Sequence, residues 1–205
     1  MDGAIEHLKD EAQPNLMDDD WIAHFFDKAR LCGDHEMQSL WGKLLAGEGN
    51  SPGSYSKRTI DLIAGLDKHD AELFTKFTTY VCYIGKVPIP LIYELEYEKD
   101  RAYALTYSDF IHLEDIGFIK IDNVKGFNSV TKVSDFSVSY FGEYFDVILP
   151  DSERVKDGYR FYRGHVLLTA VGGQLAPIAG AKKSDEFEAY LLEEWREFGY
   201  RVVPK

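Results

Sequence analysis

Asp19 to Arg30 reads D-D-W-I-A-H-F-F-D-K-A-R, Asp34 to Glu48 reads D-H-E-M-Q-S-L-W-G-K-L-L-A-G-E, and Pro52 to Leu66 reads P-G-S-Y-S-K-R-T-I-D-L-I-A-G-L. Apolar residues recur every three to four positions in each segment, which is the spacing of one face of an α-helix. Glycine, proline, serine and aspartate separate the segments, and such residues end one helix and cap the next. The stretch therefore predicts three helices, with a Pro-Gly corner before the third.

A fourth helix is expected to begin at Asp67 or Asp70, with Phe74, Phe77 and Val81 on its inner face. The stripes of all four helices are expected to form the core of a helical bundle over residues 19–86, which follows a lead-in segment over residues 1–18. The first three stripes comprise Trp21, Ile22, Phe25, Phe26 and Ala29, then Met37, Leu40, Trp41, Leu44 and Leu45, then Ile60, Ile63 and Leu66.

The second half of the chain mixes helix and strand patterns. Val87-Pro88-Ile89-Pro90 is unsuited to a helix interior, because each proline lacks an amide donor, and it marks an expected boundary. Beyond it the order is helix, strand, long hairpin, strand and helix, which is the order of a winged-helix unit. The predicted fold class is α+β and mostly α: an N-terminal helical bundle followed by a winged-helix-like α/β domain over residues 87–205.

Composition narrows the classes of function. The 205 residues include 35 acidic and 23 basic side chains, a formal charge of −12. Such a surface repels a phosphate backbone, so nucleic-acid binding is possible but disfavoured. Two cysteines do not make a disulfide scaffold, and no apolar run reaches the ~18 residues of a membrane span. A cytoplasmic protein that does not enter membranes is the simplest inference.

Three blocks carry a family resemblance: D-W-I-x-x-F-F-D-x-A, E-M-Q-S-L-W-G-K-L-L-A-G-E-x-x-x-P-G and S-Y-S-K-R-T-I-D-L-I-A-G-L, which lie between Asp20 and Leu66. Together they resemble a bacterial family known as domain of unknown function 2806. The resemblance implies a fold and a bacterial origin, but no reaction is attached to the family. Some relatives of this type are suspected in phage-defence settings, so a link to phage defence is an expectation from the resemblance alone.

Two sparse motifs lie between the first two helices. Arg30-x4-His35 has a spacing that resembles the HEPN ribonucleases, in which an arginine and a histidine act on an RNA 2′-hydroxyl and its phosphate. A HEPN-like ribonuclease that uses these two residues is the least favoured alternative. Cys32-x-x-His35 provides half of a zinc site, but no second pair follows, so no metal is expected.

The glycine-rich corner Gly47-x-Gly49-x-x-x-Gly53-Ser54 lacks the lysine of a phosphate loop, and no cofactor is expected. Its amides, with Ser56, Lys57 and Arg58 at the start of the third helix, are a candidate anion-binding site. The alternative is a plain corner in which Glu48 pairs with Lys57 or Arg58.

No nucleophile elbow or paired acid and base is recognisable in the sequence, so a non-enzymatic protein is favoured over an enzyme. The preferred hypothesis is a non-enzymatic interaction or regulatory protein that binds a protein partner or itself. High aromatic content (14%) supports this hypothesis. Candidate interface residues are Tyr140, Phe141, Tyr144 and Phe145. The alternative is a nucleic-acid-binding regulator that uses the winged domain.

Overall fold

The computed structural model of the chain describes residues 2–95 and 104–205 and, within them, every side chain except those of residues 2, 3, 35 and 36. The α-helices of this part are α1 (Asp2–Ile5), α2 (Asp19–Ala29), α3 (His35–Asn50), α4 (Lys57–Gly65), α5 (Lys68–Thr78), α6 (Tyr107–Asp115), α7 (Ala170–Leu175) and α8 (Asp185–Glu197). Short 3₁₀ turns span Pro14–Leu16, Asp151–Glu153 and Ala176–Ile178. The strands are β1 (Val81–Ile84), β2 (Val87–Pro90), β3 (Ile119–Ile121), β4 (Phe127–Thr131), β5 (Asp135–Tyr140), β6 (Glu143–Ile148), β7 (Arg154–Val155), β8 (Gly158–Gly164), β9 (Val166–Leu168) and β10 (Arg201–Pro204).

Side-chain caps mark the first turns of α2, α4 and α5. Asp18 accepts a hydrogen bond from the Trp21 amide at 2.7 Å, and Ser56 accepts one from the Thr59 amide at 3.2 Å. At the start of α5, Asp67 and Asp70 each accept from the other's backbone amide. These bonds satisfy amides that have no partner within the helix, so the predicted helix starts are confirmed.

The corner between α3 and α4 is organised by Tyr55. The buried carboxylate of Glu48 accepts from the amides of Gly53 (2.6 Å) and Tyr55 (2.9 Å). The Tyr55 carbonyl accepts from the indole of Trp21 at 2.7 Å, which ties α2 to the corner. A Cβ on Gly47 would stand 2.7 Å from the Tyr55 ring, so the glycine admits the ring against α3. Glu48 thus holds the corner through backbone amides, whereas Lys57 lies nearest to Asp20, at 3.9 Å.

The strands contradict the predicted fold class. They form three antiparallel sheets: a five-stranded sheet in the order β10-β6-β5-β1-β2, a pair β3-β9, and a three-stranded sheet β4-β8-β7. The long hairpin of the expected wing is β5-β6, and it pairs with β1 and β10 rather than with β3 or β9. The prediction of a helical bundle followed by a winged-helix-like domain is therefore wrong, and the chain is a strand-rich α+β protein.

The first sheet also corrects the end of the fourth helix. The helix α5 stops at Thr78, and Val81 begins β1 instead of occupying a fourth helical turn. Pro88 and Pro90 lie in β2, at the edge of the five-stranded sheet, where a missing amide donor costs no ladder bond. The hairpin β1-β2 therefore straddles residue 86, and buried residues from both sides of it belong to one hydrophobic cluster. The division of the chain into two domains at residue 86 stays a prediction.

The helix α7 connects the strand pair β3-β9 to the helices α3, α4 and α5. Thr169 caps it and donates to the Gly117 carbonyl at 2.7 Å. Gly172 lies so close to β3 that a Cβ there would stand 2.1 Å from the Phe118 carbonyl oxygen. Gln174 accepts from the Thr59 hydroxyl of α4. These contacts fix the 3₁₀ turn after α7 against α3 and α5, where the candidate site lies.

Candidate ligand-binding groove

A groove of about 510 Å³ opens between α3, α5 and the segment 175–182. The wall from α5 is a stripe at helical spacing, and the wall from α3 includes Met37, Leu40 and Lys43. The α5 stripe consists of Lys68, Ala71, Glu72, Thr75, Lys76 and, just after the helix, Thr79. The volume is within the range of sites that enclose small molecules or peptide side chains.

The floor of the groove is apolar and rigid. Phe74 and Phe118 stack with their ring centroids 3.9 Å apart and their planes 11° apart. Both rings are buried, as is Leu175 beside them, whereas Leu40 and Ile178 are partly exposed toward the groove. The partly exposed residues supply apolar surface that a ligand can cover.

The rim of the groove is cationic in a chain that is strongly anionic. Among the described residues that line it, four are lysines, at positions 43, 68, 76 and 182, and two are carboxylates, Asp34 and Glu72. Lys68 pairs with Glu72 at 3.7 Å. For Lys43, Lys76 and Lys182, no carboxylate oxygen of a side chain that the structure describes lies within 4.0 Å of the ammonium. These three charges remain open to an anionic ligand.

The segment after the 3₁₀ turn is bonded to both helical walls of the groove. The Lys43 ammonium donates to the Ile178 carbonyl at 3.4 Å, and the Thr75 hydroxyl donates to the Ala179 carbonyl at 3.0 Å. These bonds hold Lys43 and α5 to consecutive carbonyls. Lys76 follows Thr75 directly and Lys182 lies three residues after Ala179, so both line the groove near this junction. The cations are therefore concentrated where the segment 178–182 meets the two helices.

Lysines predominate among the titratable side chains of this lining. Its titratable side chains are lysines, one aspartate and one glutamate, and no histidine or cysteine is among the described residues that line it. The lining also carries the hydroxyls of Ser39, Thr75 and Thr79, of which Thr75 is bonded to the Ala179 carbonyl. The excess of lysines over carboxylates makes the rim attractive to anions.

Arg30 and His35 lie on either side of the α2–α3 connection. The Arg30 guanidinium is exposed and tied to Asp27, with 2.9 Å between Nη2 and Oδ1 and 3.1 Å between Nε and the Asp27 carbonyl. The backbone of His35 begins α3, and its side chain is outside the described part of the chain. The predicted ribonuclease pair stays a prediction.

The start of α4 is occupied by its own contacts. Ser56 caps the helix, and its amide donates to Gln174 Oε1 at 3.3 Å. Lys57 and Arg58 are the first residues of the helix and are exposed. Anion binding at Ser56, Lys57 and Arg58 stays a prediction, and any anion there must compete with Gln174 for the Ser56 amide.

The four aromatic interface candidates divide between two environments. Tyr140 and Phe145 are buried, because alternate residues of β5 and β6 face the core. The Tyr140 hydroxyl donates to the Thr79 carbonyl at 3.0 Å and accepts from the Ser184 amide at 3.0 Å, and burial raises its pKa to about 12. Phe141 and Tyr144 are exposed at the β5-β6 hairpin. An interface on this hairpin has only the latter two to offer, and its existence stays a prediction.

A histidine–carboxylate pair joins α5 to α6. His112 Nε2 lies 2.6 Å from Asp70 Oδ1. Burial raises the pKa of the Asp70 carboxyl, but the hydrogen bonds from His112 and from the Asp67 amide, with the nearby charges of His112 and His69, outweigh burial and lower it below its usual value. Sequence reasoning placed Asp70 at the helix start and missed His112, since the partner lies 42 residues away.

The groove itself was not predicted, although part of its signal is in the sequence. The second face of α5 repeats Lys, Ala, Glu, Thr and Lys at helical spacing, and its small residues leave room beside the helix. The other wall, from residues 175–182, is brought there by α7. No local pattern reports such an approach.

No cluster of three or more histidine, cysteine, aspartate or glutamate side chains is arranged to hold a metal ion in residues 2–95 and 104–205. Over the same ranges, none of the helices combines the length and the apolar character needed to cross a bilayer.

Comparison with known proteins gives a family without an activity. The family model described as protein of unknown function (DUF2806) matches residues 1–192 of the 205. The chain belongs to this family. No curated protein matches it, and no solved structure matches it. Membership in DUF2806 confirms the family resemblance, which is strong over residues 19–81 and weaker over residues 103–203. The proposals that follow depend on the geometry of the groove.

Proposed function

We propose that this DUF2806 protein is a non-enzymatic interaction protein that binds an acidic, partly apolar segment of a partner protein in the groove between α3 and α5. The observation that carries the proposal is the pairing of a lysine rim with an apolar floor in a chain of charge −12. A surface with this overall charge repels acidic partners everywhere except at a local excess of cations.

The free energy of binding favours an occupant that has both apolar and acidic groups. Covering the exposed parts of Leu40 and Ile178 contributes about 25 cal/mol per Å² of apolar surface removed from water. Carboxylates on the occupant pair with ammonium groups at the groove rim, which fixes its register more than it adds affinity. A purely apolar occupant leaves the lysines unpaired, and a small polyanion leaves the floor uncovered.

Peptide display tests the proposal without knowledge of the natural partner. Random peptides of about a dozen residues, roughly the length that spans the groove, are selected on the wild-type protein and counter-selected on a Lys76→Glu/Lys182→Glu variant. Both lysines are exposed, so the variant is expected to keep its fold. Peptides that are net negative and contain large apolar residues are expected to be enriched.

The control variant is Lys132→Glu, which changes an exposed lysine that does not line the groove. Enriched peptides should bind this variant as they bind wild type and lose at least tenfold in affinity for the double variant. Failure to enrich any peptide, or enrichment of basic peptides, removes the proposal. So does equal binding to the double variant.

A further inference from the structure

We infer that the occupant of the groove is a short acidic amphipathic α-helix whose C-terminal end lies at Lys43, Lys76 and Lys182. This inference rests on the proposed function and names the form and direction of the partner segment. It follows from what the groove walls offer to a backbone, from their length, and from the uneven placement of the lysines.

The walls offer little to the backbone of an extended peptide. An added β-strand gains its affinity from unpaired amides and carbonyls at a sheet edge. Here both long walls are helices, α3 and α5, whose backbone groups are bonded within each helix. The carbonyls of Ile178 and Ala179 already accept from Lys43 and Thr75. An occupant that satisfies its own backbone needs no bond from these walls, and an α-helix is such an occupant.

The dimensions of the groove set the length of that helix. The stripe on α5 runs from Lys68 to Thr79, and the helix has 11 residues. At 1.5 Å per residue the wall is about 16 Å long, which corresponds to roughly three turns of a bound helix. An apolar stripe at positions i, i+3, i+4 and i+7 on the occupant then covers the exposed parts of Leu40 and Ile178.

The lysines set the direction of the bound helix. Lys43 and Thr75 both contact the segment 178–182, so Lys43, Lys76 and Lys182 share one end of the groove. At the other end Lys68 is partly neutralised by Glu72, 3.7 Å away. The C-terminus of a helix carries about half a negative charge and, in a free peptide, a carboxylate. It is therefore stabilised best at the end with three cations.

Three synthetic peptides of about 14 residues test this inference, each roughly long enough for three turns. All share one composition of leucine, glutamate, alanine and glutamine. The first has leucine at helical spacing and a free C-terminus, the second is the same peptide with an amidated C-terminus, and the third has leucine at alternate positions. Affinity for the wild-type protein is measured by fluorescence anisotropy, and the Lys76→Glu/Lys182→Glu and Lys132→Glu variants serve as before.

The first peptide is expected to bind at least tenfold more tightly than the third, and amidation is expected to weaken it about two- to fivefold. The loss on amidation should disappear in the Lys76→Glu/Lys182→Glu variant and persist in Lys132→Glu. Equal affinity of the first and third peptides would falsify the helical form while leaving acidic binding intact. An amidated peptide that binds as well as the free acid overturns the direction, and no binding by any peptide overturns the proposed function itself.

Discussion

Asp70 shows how a single carboxylate joins two helices. It caps α5 by accepting from the Asp67 amide at 3.0 Å and contacts His112 of α6 at 2.6 Å. Its pKa is lowered in the folded protein, against the raising effect of burial. A group with a depressed pKa stabilises the fold above its unfolded-state pKa, about 3.9 for aspartate, and this contribution is lost as the pH falls through the folded value.

Replacing Asp70→Asn should therefore have a pH-dependent cost. We expect a loss of about 1–2 kcal/mol in the free energy of unfolding at pH 7, because asparagine removes the charge that His112 and the helix amide stabilise. The difference from wild type should shrink as the pH falls below about 3.9, the unfolded-state value, and through the lower folded-state pKa of Asp70. Urea denaturation at several pH values measures it. The matched control is Glu72→Gln on the same helix, since Glu72 is exposed and expected to contribute little at any pH. A difference that grows on acidification would contradict the assignment.

At the scale of elements, the contact between α7 and β3 places one wall of the groove. Thr169 ties the helix start to Gly117, and Gly172 faces the Phe118 carbonyl with no room for a Cβ. Gly173, the next residue of the same helix, is open: the nearest atom to a Cβ there is Pro88 Cγ at 3.9 Å. The two glycines are therefore neighbours in one helix but differ in how closely they are packed.

The pair Gly172→Ala and Gly173→Ala separates packing from helix propensity. Gly172→Ala should destabilise the protein by at least about 3 kcal/mol, because its Cβ would stand 2.1 Å from a backbone oxygen that has no way to rotate aside. Gly173→Ala should be neutral or stabilise by up to about 1 kcal/mol, as expected for an open helical site. Urea denaturation of both variants decides. Similar effects for the two would show that α7 does not press on β3.

The helices were predictable from sequence and the sheets were not, for a physical reason. Caps such as Asp18 and Ser56 act within three residues, so the starts of α2 and α4 are encoded locally. Alternation in β5 identifies a buried face but not a partner strand. Tyr83 of β1 is paired with Ser139 of β5, which lies 56 positions further along the chain, and no local pattern selects that register.

The candidate groove could likewise be predicted only in part from the sequence. The α5 wall of the groove follows from helical spacing, whereas Lys182 joins it only through the fold. Glu48 was expected to pair with a lysine or arginine, but it is buried and binds the amides of Gly53 and Tyr55. Charge counting favours ion pairs, and only the corner geometry reveals that two amides need an acceptor there.

On the scale of the whole molecule, two electrostatic ranges act on an acidic partner. The formal charge of −12 repels it at long distance, and the groove lysines attract it at contact. The screening length is about 30 Å at 10 mM salt and about 8 Å at 150 mM. Added salt therefore removes the long-range repulsion first. It weakens the contact pairs to a smaller extent, because they are partly shielded from solvent.

This separation predicts opposite effects of salt on one binding equilibrium. For the helical acidic peptide, the association rate should rise about two- to threefold from 10 to 150 mM salt, because the repulsion of the net charge is screened. The dissociation rate should rise as well, because the lysine contacts weaken, so affinity changes less than either rate. Stopped-flow fluorescence measures both. A peptide with glutamine in place of every glutamate is the control, and its association should not depend on salt. If association of the acidic peptide is instead fastest at the lowest salt, the groove lysines dominate the long-range field and the net charge of the chain does not govern how its partner approaches.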